Sequence, residues 1–106
     1  MAGETICLED EVIFGPYCVV VSSNHTRKKG SFRYGEPDLL PILVGKGSWV
    51  AAHVTLTAGS NIGQGTLVAA GAVVKGNIPS NVVIGGVPAR MIGDLKDDCE
   101  GLVETQ

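Results

Sequence analysis

Residues 44–74 read VGKGSWVAAHVTLTAGSNIGQGTLVAAGAVV. Stepping through them by six lands on Val44, Val50, Leu56, Ile62, Val68 and Val74, all large and apolar. The same phase extends back to Leu8, Phe14 and Val20. Four residues after the anchors stand Val12, Cys18, Ser48, Val54, Ser60, Thr66, Ala72 and Ile78, mostly small or β-branched. The position before the small residue holds Gly47, Gly59, Gly65 and Gly71, and the position after the anchor holds Gly15, Gly45 and Gly63, with Ala51 and Ala69. A fixed period is the mark of a repeat architecture. A β-sandwich would instead show two-residue alternation with turn signals every 8–12 residues. The physical reading is an all-β, triangular parallel coil of about three to four turns. Each six-residue unit supplies one short strand and one corner, and the glycines provide the backbone angles and close approach that corners demand.

The bulk composition agrees. The chain has 106 residues, enough for one small domain. It has 15 glycines and only five aromatic residues, a mixture suited to β-branched strands and tight corners. So short a chain buries a limited fraction of its surface, and oligomerisation would relieve that. The net charge of −3 gives no general pull toward nucleic acid or an anionic membrane. No apolar run approaches a membrane span, and Met1-Ala2-Gly3-Glu4 does not read as a signal peptide. Cys7, Cys18 and Cys99 are odd in number and form no CxxC pair, which argues against a disulfide framework or a zinc site and for a reducing cytoplasm. Cys18 occupies an interior small position and reads as inert core.

The repeat is interrupted once. Residues 23–40, SNHTRKKGSFRYGEPDLL, are polar, basic and turn-rich, and the phase resumes cleanly after them. This segment is expected to protrude from the coil as a long loop, a kind of segment often functional. Lys75 to Asn81 reads as a turn-rich exit, followed by an apolar strand and a Gly85-Gly86 turn. The expected division is a coil domain over residues 1–92 and an acidic tail over 93–106 that could form a short terminal helix.

The order of these parts resembles the maltose, galactoside and nodulation-factor O-acetyltransferase branch of the hexapeptide-repeat acyltransferases. The residues that carry the likeness are Phe14-Gly15-Pro16-Tyr17, Asn24-His25 and Pro41-Ile42-Leu43-Val44-Gly45. Further along they are Gly47-Ser48-Trp49-Val50, Ala69-Ala70-Gly71-Ala72-Val73-Val74 and Gly85-Gly86-Val87-Pro88-Ala89-Arg90. The resemblance implies a left-handed parallel β-helix, a homotrimer with active sites between subunits, and acetyl-coenzyme A in the groove between coils. It implies that His25 is the general base, and that Trp49, Ala52, Ala70, Lys75 and Arg90 lie along the cofactor. Asn24 and Tyr17 fall on the acceptor side. The family carries an N-terminal segment and further coil ahead of the region matched here. Its usual Thr-Lys-Asp after the last regular hexapeptide is Lys75-Gly76-Asn77 in this chain, with the basic residue shifted by one position.

Moving an acetyl group from a thioester to a hydroxyl requires proton removal, oxyanion stabilisation and alignment of both substrates. Imidazole suits the first task, and His25 is the only histidine in the loop. From the residues alone, His25 reads equally well as a solvated loop side chain. Trp49 precedes an anchor and should point outward, toward a ligand or a subunit contact. His53 reads as a surface side chain at a corner. Two histidines are too few for the three-histidine zinc site of hexapeptide carbonic anhydrases, so no metal is expected. Arg27, Lys28, Lys29 and Arg33 make the loop basic, either as a solvated face or as a partner for anionic coenzyme A. Three functions follow: acetyl transfer to a sugar or saccharide hydroxyl, a non-enzymatic trimeric module that keeps the coil without an acceptor site, and N-acetylation of an amino sugar or acylation of another small molecule, including xenobiotics.

Overall fold

A computed structural model describes residues 5–95, and every regular element among them is a β-strand. Three flat faces enclose one core. Face A holds β1 (Ile6–Leu8), β6 (Ile42–Val44), β9 (Asn61–Ile62) and β12 (Asn77–Ile78). Face B holds β2 (Ile13–Phe14), β7 (Trp49–Val50), β10 (Leu67–Val68) and β13 (Val82–Gly85), followed by β14 (Arg90–Asp94). Face C holds β3 (Val19–Val20), β8 (Thr55–Leu56) and β11 (Val73–Val74). The chain visits A, B and C in turn, and neighbouring rungs pair in parallel. Val44 pairs with Ile62, Val50 with Val68 and Leu56 with Val74, so one turn takes 18 residues.

The six-residue anchors from Val44 onward are the core, whereas Phe14 and Val20 are half-buried and Leu8, on the first rung, is exposed. Val44, Val50, Leu56, Ile62, Val68 and Val74 are fully buried, as are the small corner residues Ser48, Val54, Ser60 and Ala72. The buried hydroxyls of Ser48, Ser60 and Thr66 are bonded to backbone. Ser48 Oγ donates to Gly63 O at 2.8 Å and accepts from Thr66 N at 3.1 Å. Ser60 Oγ donates toward Thr57 O (2.7 Å) and Val74 O (3.0 Å), and Thr66 Oγ1 donates to Pro79 O (2.8 Å). They add corner hydrogen bonds to those of the strand ladder.

The corner glycines divide into two kinds. Gly47, Gly59, Gly65 and Gly71 have φ between 61° and 83°, the left-handed region that glycine enters without steric cost. Gly45 and Gly63 are needed for proximity instead. A Cβ on Gly45 would sit 2.7 Å from Gln64 N, and one on Gly63 would sit 2.5 Å from Ser80 N.

Two expectations are revised. Lys75–Asn81 is not an exit from the coil: it contains β12, which pairs with β9 and opens a fourth turn. Ile62 and Ile78 are partners only 16 positions apart, because this corner is shorter by two residues, which is why the six-residue phase is lost there. At the other end, β14 folds back antiparallel on β13, pairing Val83 with Gly93 and Val82 with Asp94. Gly93 and Asp94, assigned to the tail from sequence, therefore belong to a strand. The rest of the expected terminal helix, from residue 96 onward, lies outside the described residues.

Residues 23–40 form an arm. β4 (Ser23–Asn24) and β5 (Asp38–Leu39) pair antiparallel at its base, and Lys28 bridges Ser31 near its tip. Leu8 and Val44 are partners 36 positions apart, one 18-residue turn plus the 18 residues of the arm.

Candidate functional site

The candidate residues fall on two different edges of the triangular prism. The edge between faces B and C stacks Gly15-Pro16-Tyr17, Ala51-Ala52-His53 and Ala69-Ala70-Gly71 on successive turns. His53 N donates to Pro16 O at 3.0 Å, and Gly71 N donates to Ala52 O at 3.0 Å. Ala52 is half-buried and Ala70 exposed, so small side chains leave the backbone of this edge open to a ligand. At its top the chain turns through Gly86–Ala89, with a cis Val87–Pro88 bond. Val73 N donates to Gly86 O (3.1 Å) and Ala89 N to Val73 O (2.9 Å), which fixes this turn over the edge. Arg90 follows, exposed, and among the described residues its Nη1 donates only to the neighbouring Ala89 O at 3.3 Å.

Tyr17 and His53 occupy the same corner position one turn apart, with φ of 61° and 59°. Their rings stack with centroids 5.2 Å apart and planes 13° from parallel. His53 is exposed, as expected, but it is packed on Tyr17. The sequence reading missed this pair. Its signal was present: Tyr17 and His53 stand where the next turn has Gly71, and 36 positions separate aligned residues on either side of the arm.

The edge between faces C and A carries the arm. Leu40 N donates to Ser22 O at 3.0 Å at its base, and Leu40 packs against Gly59. Further out, Thr26 Oγ1 donates to Glu36 O, and Gly35 abuts Thr26. Asn24 sits on β4 opposite Asp38, and His25 follows it, exposed. Lys75 lies on this same edge, directly after β11. Beside the arm base a groove runs over face A past Leu40, Cys7, Leu43, Asn61 and Asn77, none of them singled out from sequence as site residues.

Trp49 is elsewhere, on the outside of face B and half-buried. It lines a small cavity with Gly47, Gly65, Leu67 and Leu95, and Leu95 is held there by its N–H bond to Asn81 O at 2.7 Å. The end of the chain's own β14 hairpin thus borders the same cavity as the outward indole. Three strand spacings separate β7 from β14, roughly 14 Å at the usual distance between strands. Within one chain, then, Asn24 and His25 are together, Tyr17, Ala52, Ala70 and Arg90 share another edge, and the whole of face C lies between the two sets. No group of three or more His, Cys, Asp or Glu residues among the described residues is placed to hold a metal.

No family model matches the chain. Individual proteins do. The chain is 32% identical over 93 residues to the galactoside O-acetyltransferase of Escherichia coli K12, covering 88% of this chain and 46% of that protein. A solved galactoside acetyltransferase in complex with coenzyme A superposes with a TM-score of 0.83 at 31% identity, covering 91% of this chain and 48% of the other. The fold is the left-handed parallel β-helix of the hexapeptide-repeat acetyltransferases. A hexapeptide-repeat acetyltransferase from Vibrio cholerae O1 biovar eltor, solved with acetyl coenzyme A, matches this β-helix at a TM-score of 0.77 and 27% identity. That match covers 88% of this chain and 55% of the other. The β-helix thus spans about half the length of the relatives it matches.

Proposed function

We propose that the chain is the β-helical part of an acetyl-coenzyme A-dependent O-acetyltransferase that acetylates a hydroxyl of a sugar or saccharide. The observation that carries this is the match across nine-tenths of the chain to a galactoside acetyltransferase solved in complex with coenzyme A. In this reading the cofactor follows the edge between faces B and C. Ala52 and Ala70 offer backbone, and Arg90 lies at the phosphate end, with Lys75 and Trp49 contributing from neighbouring surfaces. His25 and Asn24 supply the reacting end.

Because face C separates the two sets within one chain, the working site brings the arm of one subunit to the cofactor edge of its neighbour. A homotrimer closes that arrangement symmetrically. The acceptor hydroxyl gives its proton to His25 as its oxygen attacks the thioester carbonyl carbon. The tetrahedral intermediate collapses, the C–S bond breaks, and the imidazolium returns the proton to the departing thiolate. No covalent acyl-enzyme is required. A cytoplasmic location fits the supply of acetyl-coenzyme A and the free thiols of Cys7 and Cys18.

The test is release of free coenzyme A thiol in the presence of a panel of sugars and oligosaccharides. Acceptor-dependent release is expected. Cofactor binding without release on any acceptor would assign the chain instead to a trimeric module that holds coenzyme A. Sedimentation should give about three times the 11.0 kDa monomer mass. A folded monomer at micromolar concentration would remove the shared site.

A further inference from the structure

Four of the chain's eight Lys and Arg residues sit within seven positions of the arm: Arg27, Lys28, Lys29 and Arg33. The other four stand against nine of the eleven acidic residues, since only Glu36 and Asp38 belong to the arm. An acidic protein thus concentrates positive charge on one projecting hairpin. No carboxylate among the described residues pairs with any of the four cations. The Lys28–Ser31 bridge forms a tight turn with Lys29 and Gly30 at positive φ, and the Arg27 guanidinium lies against Gly30. Lys28, Lys29, Ser31 and Tyr34 line a shallow cavity of about 430 Å³. Aromatic surface stands beside the charge: Phe32 is 59% exposed, Tyr34 is 69% exposed, and the Arg33 guanidinium lies 5.5 Å from the Tyr34 ring centre.

We propose that this arm recognises an anionic acceptor, a saccharide bearing a phosphate group. The inference rests on the reading above, in which His25 faces the acceptor. Exposed aromatic rings receive the C–H face of a sugar, and unpaired guanidinium and ammonium groups receive phosphate oxygens. Arg27 to Lys29 lie two to four residues beyond His25, so at most about 7–13 Å of chain separates them from it even if fully extended. That is the reach of a sugar ring or two with its phosphate. The phosphates of coenzyme A are a full pantetheine chain away from the thioester that must meet His25, so they are poorly placed to be the arm's partner.

The experiment is calorimetry at low salt on the full chain. The probes are hexose 1-phosphates and their neutral methyl glycosides, with inorganic phosphate and acetyl-coenzyme A measured alongside. The phosphorylated sugars should bind at least about tenfold more tightly than the neutral ones, and inorganic phosphate more weakly than the sugar phosphates. The combined Arg27→Gln, Lys28→Gln, Lys29→Gln and Arg33→Gln variant should erase that preference, as should about 0.5 M salt, while acetyl-coenzyme A affinity changes less than about twofold. All four side chains are outside the core, and circular dichroism will verify that the variant folds. Equal affinity for phosphorylated and neutral sugars in the parent would overturn the proposal. So would an equal loss of acetyl-coenzyme A affinity in the variant, which would give the arm to the cofactor, and so would inorganic phosphate binding as tightly as the sugar phosphates. Binding is read here without turnover. A phosphate preference with no thiol release would fault the proposed catalysis and leave the acceptor class standing.

Discussion

Replacing Gly45 with Ala tests whether the packing of successive turns is as close as it looks. The added methyl carbon would lie 2.7 Å from Gln64 N and from Gly63 C, both backbone atoms of the next turn. Carbon rests at about 3.5 Å from such neighbours, so the overlap is about 0.8 Å. Neither side can yield easily. Leu43 N donates to Ser60 O at 3.0 Å and Gly45 N to Ile62 O at 2.8 Å, and these two bonds set the spacing of the rungs. Separating the turns by 0.8 Å would forfeit both at about 1 kcal/mol each. Accepting the overlap would cost about 1–3 kcal/mol or more in strain. Gly45→Ala should therefore lose about 2–4 kcal/mol. The right control is Gly47, two residues away, where φ is 75° and a Cβ would meet nothing within 4 Å. There only the left-handed backbone opposes alanine, at about 1–2 kcal/mol, partly offset by about 0.4–1 kcal/mol from a less flexible unfolded chain. Thermal melts followed by circular dichroism at one fixed protein concentration should show a fall of roughly 10–20 °C for Gly45→Ala and about 5 °C for Gly47→Ala. Equal falls, or a larger one for Gly47→Ala, would refute the claim that inter-turn contact selects glycine at position 45.

Ser48→Ala should cost about 1–3 kcal/mol by the same melts, because it strands the buried Thr66 N–H and Gly63 carbonyl that Ser48 Oγ joins; an unchanged melting temperature would show that the hydroxyl is dispensable. His25→Ala should lower acetyl transfer by ~10²–10⁴ with little change in coenzyme A affinity, and comparable turnover in the thiol assay would take His25 out of the mechanism. Arg90→Ala should weaken coenzyme A binding by about 1–3 kcal/mol in calorimetry, as expected for a lost charge-assisted contact to phosphate, and an unaltered affinity would remove Arg90 from the cofactor edge.

The coil was legible in the sequence because its core is periodic in a single chain: Val44 through Val74 report their own burial at every sixth position. The fourth turn was not, because a corner two residues shorter shifts Ile78 and Ile84 out of phase although they keep their own spacing of six. The candidate site was legible only in pieces. Ala52 and Ala70 lie on one edge because their positions in the repeat place them there, 18 residues apart, whereas Arg90 reaches it through the Gly86–Ala89 turn. Nothing in local sequence says that His25, eight residues after Tyr17, emerges on a different edge, since that depends on where the arm leaves the turn. Trp49 was placed outward correctly, but the cavity it shares with Leu95 depends on an antiparallel reversal that no repeat encodes. The Tyr17–His53 stack had a readable signal, two rings in a glycine column, and called for aligning the turns across the insertion.

The arm occupies the 18 residues 23–40, and its base is closed onto the coil by the hydrogen bond from Leu40 N to Ser22 O at 3.0 Å. Its length is therefore invisible to the stacking: the rung before it and the rung after it meet as they would if the arm were absent. Such an insertion point behaves as an exchangeable socket. The segment plugged into it can be lengthened, shortened or recharged without disturbing a buried anchor, and without displacing Ala52, Ala70 or Arg90 on the other edge. Under the proposed function, donor handling and acceptor choice could then diversify independently, one frozen in the geometry of the β-helix and the other free to drift in a hairpin that the β-helix does not have to accommodate.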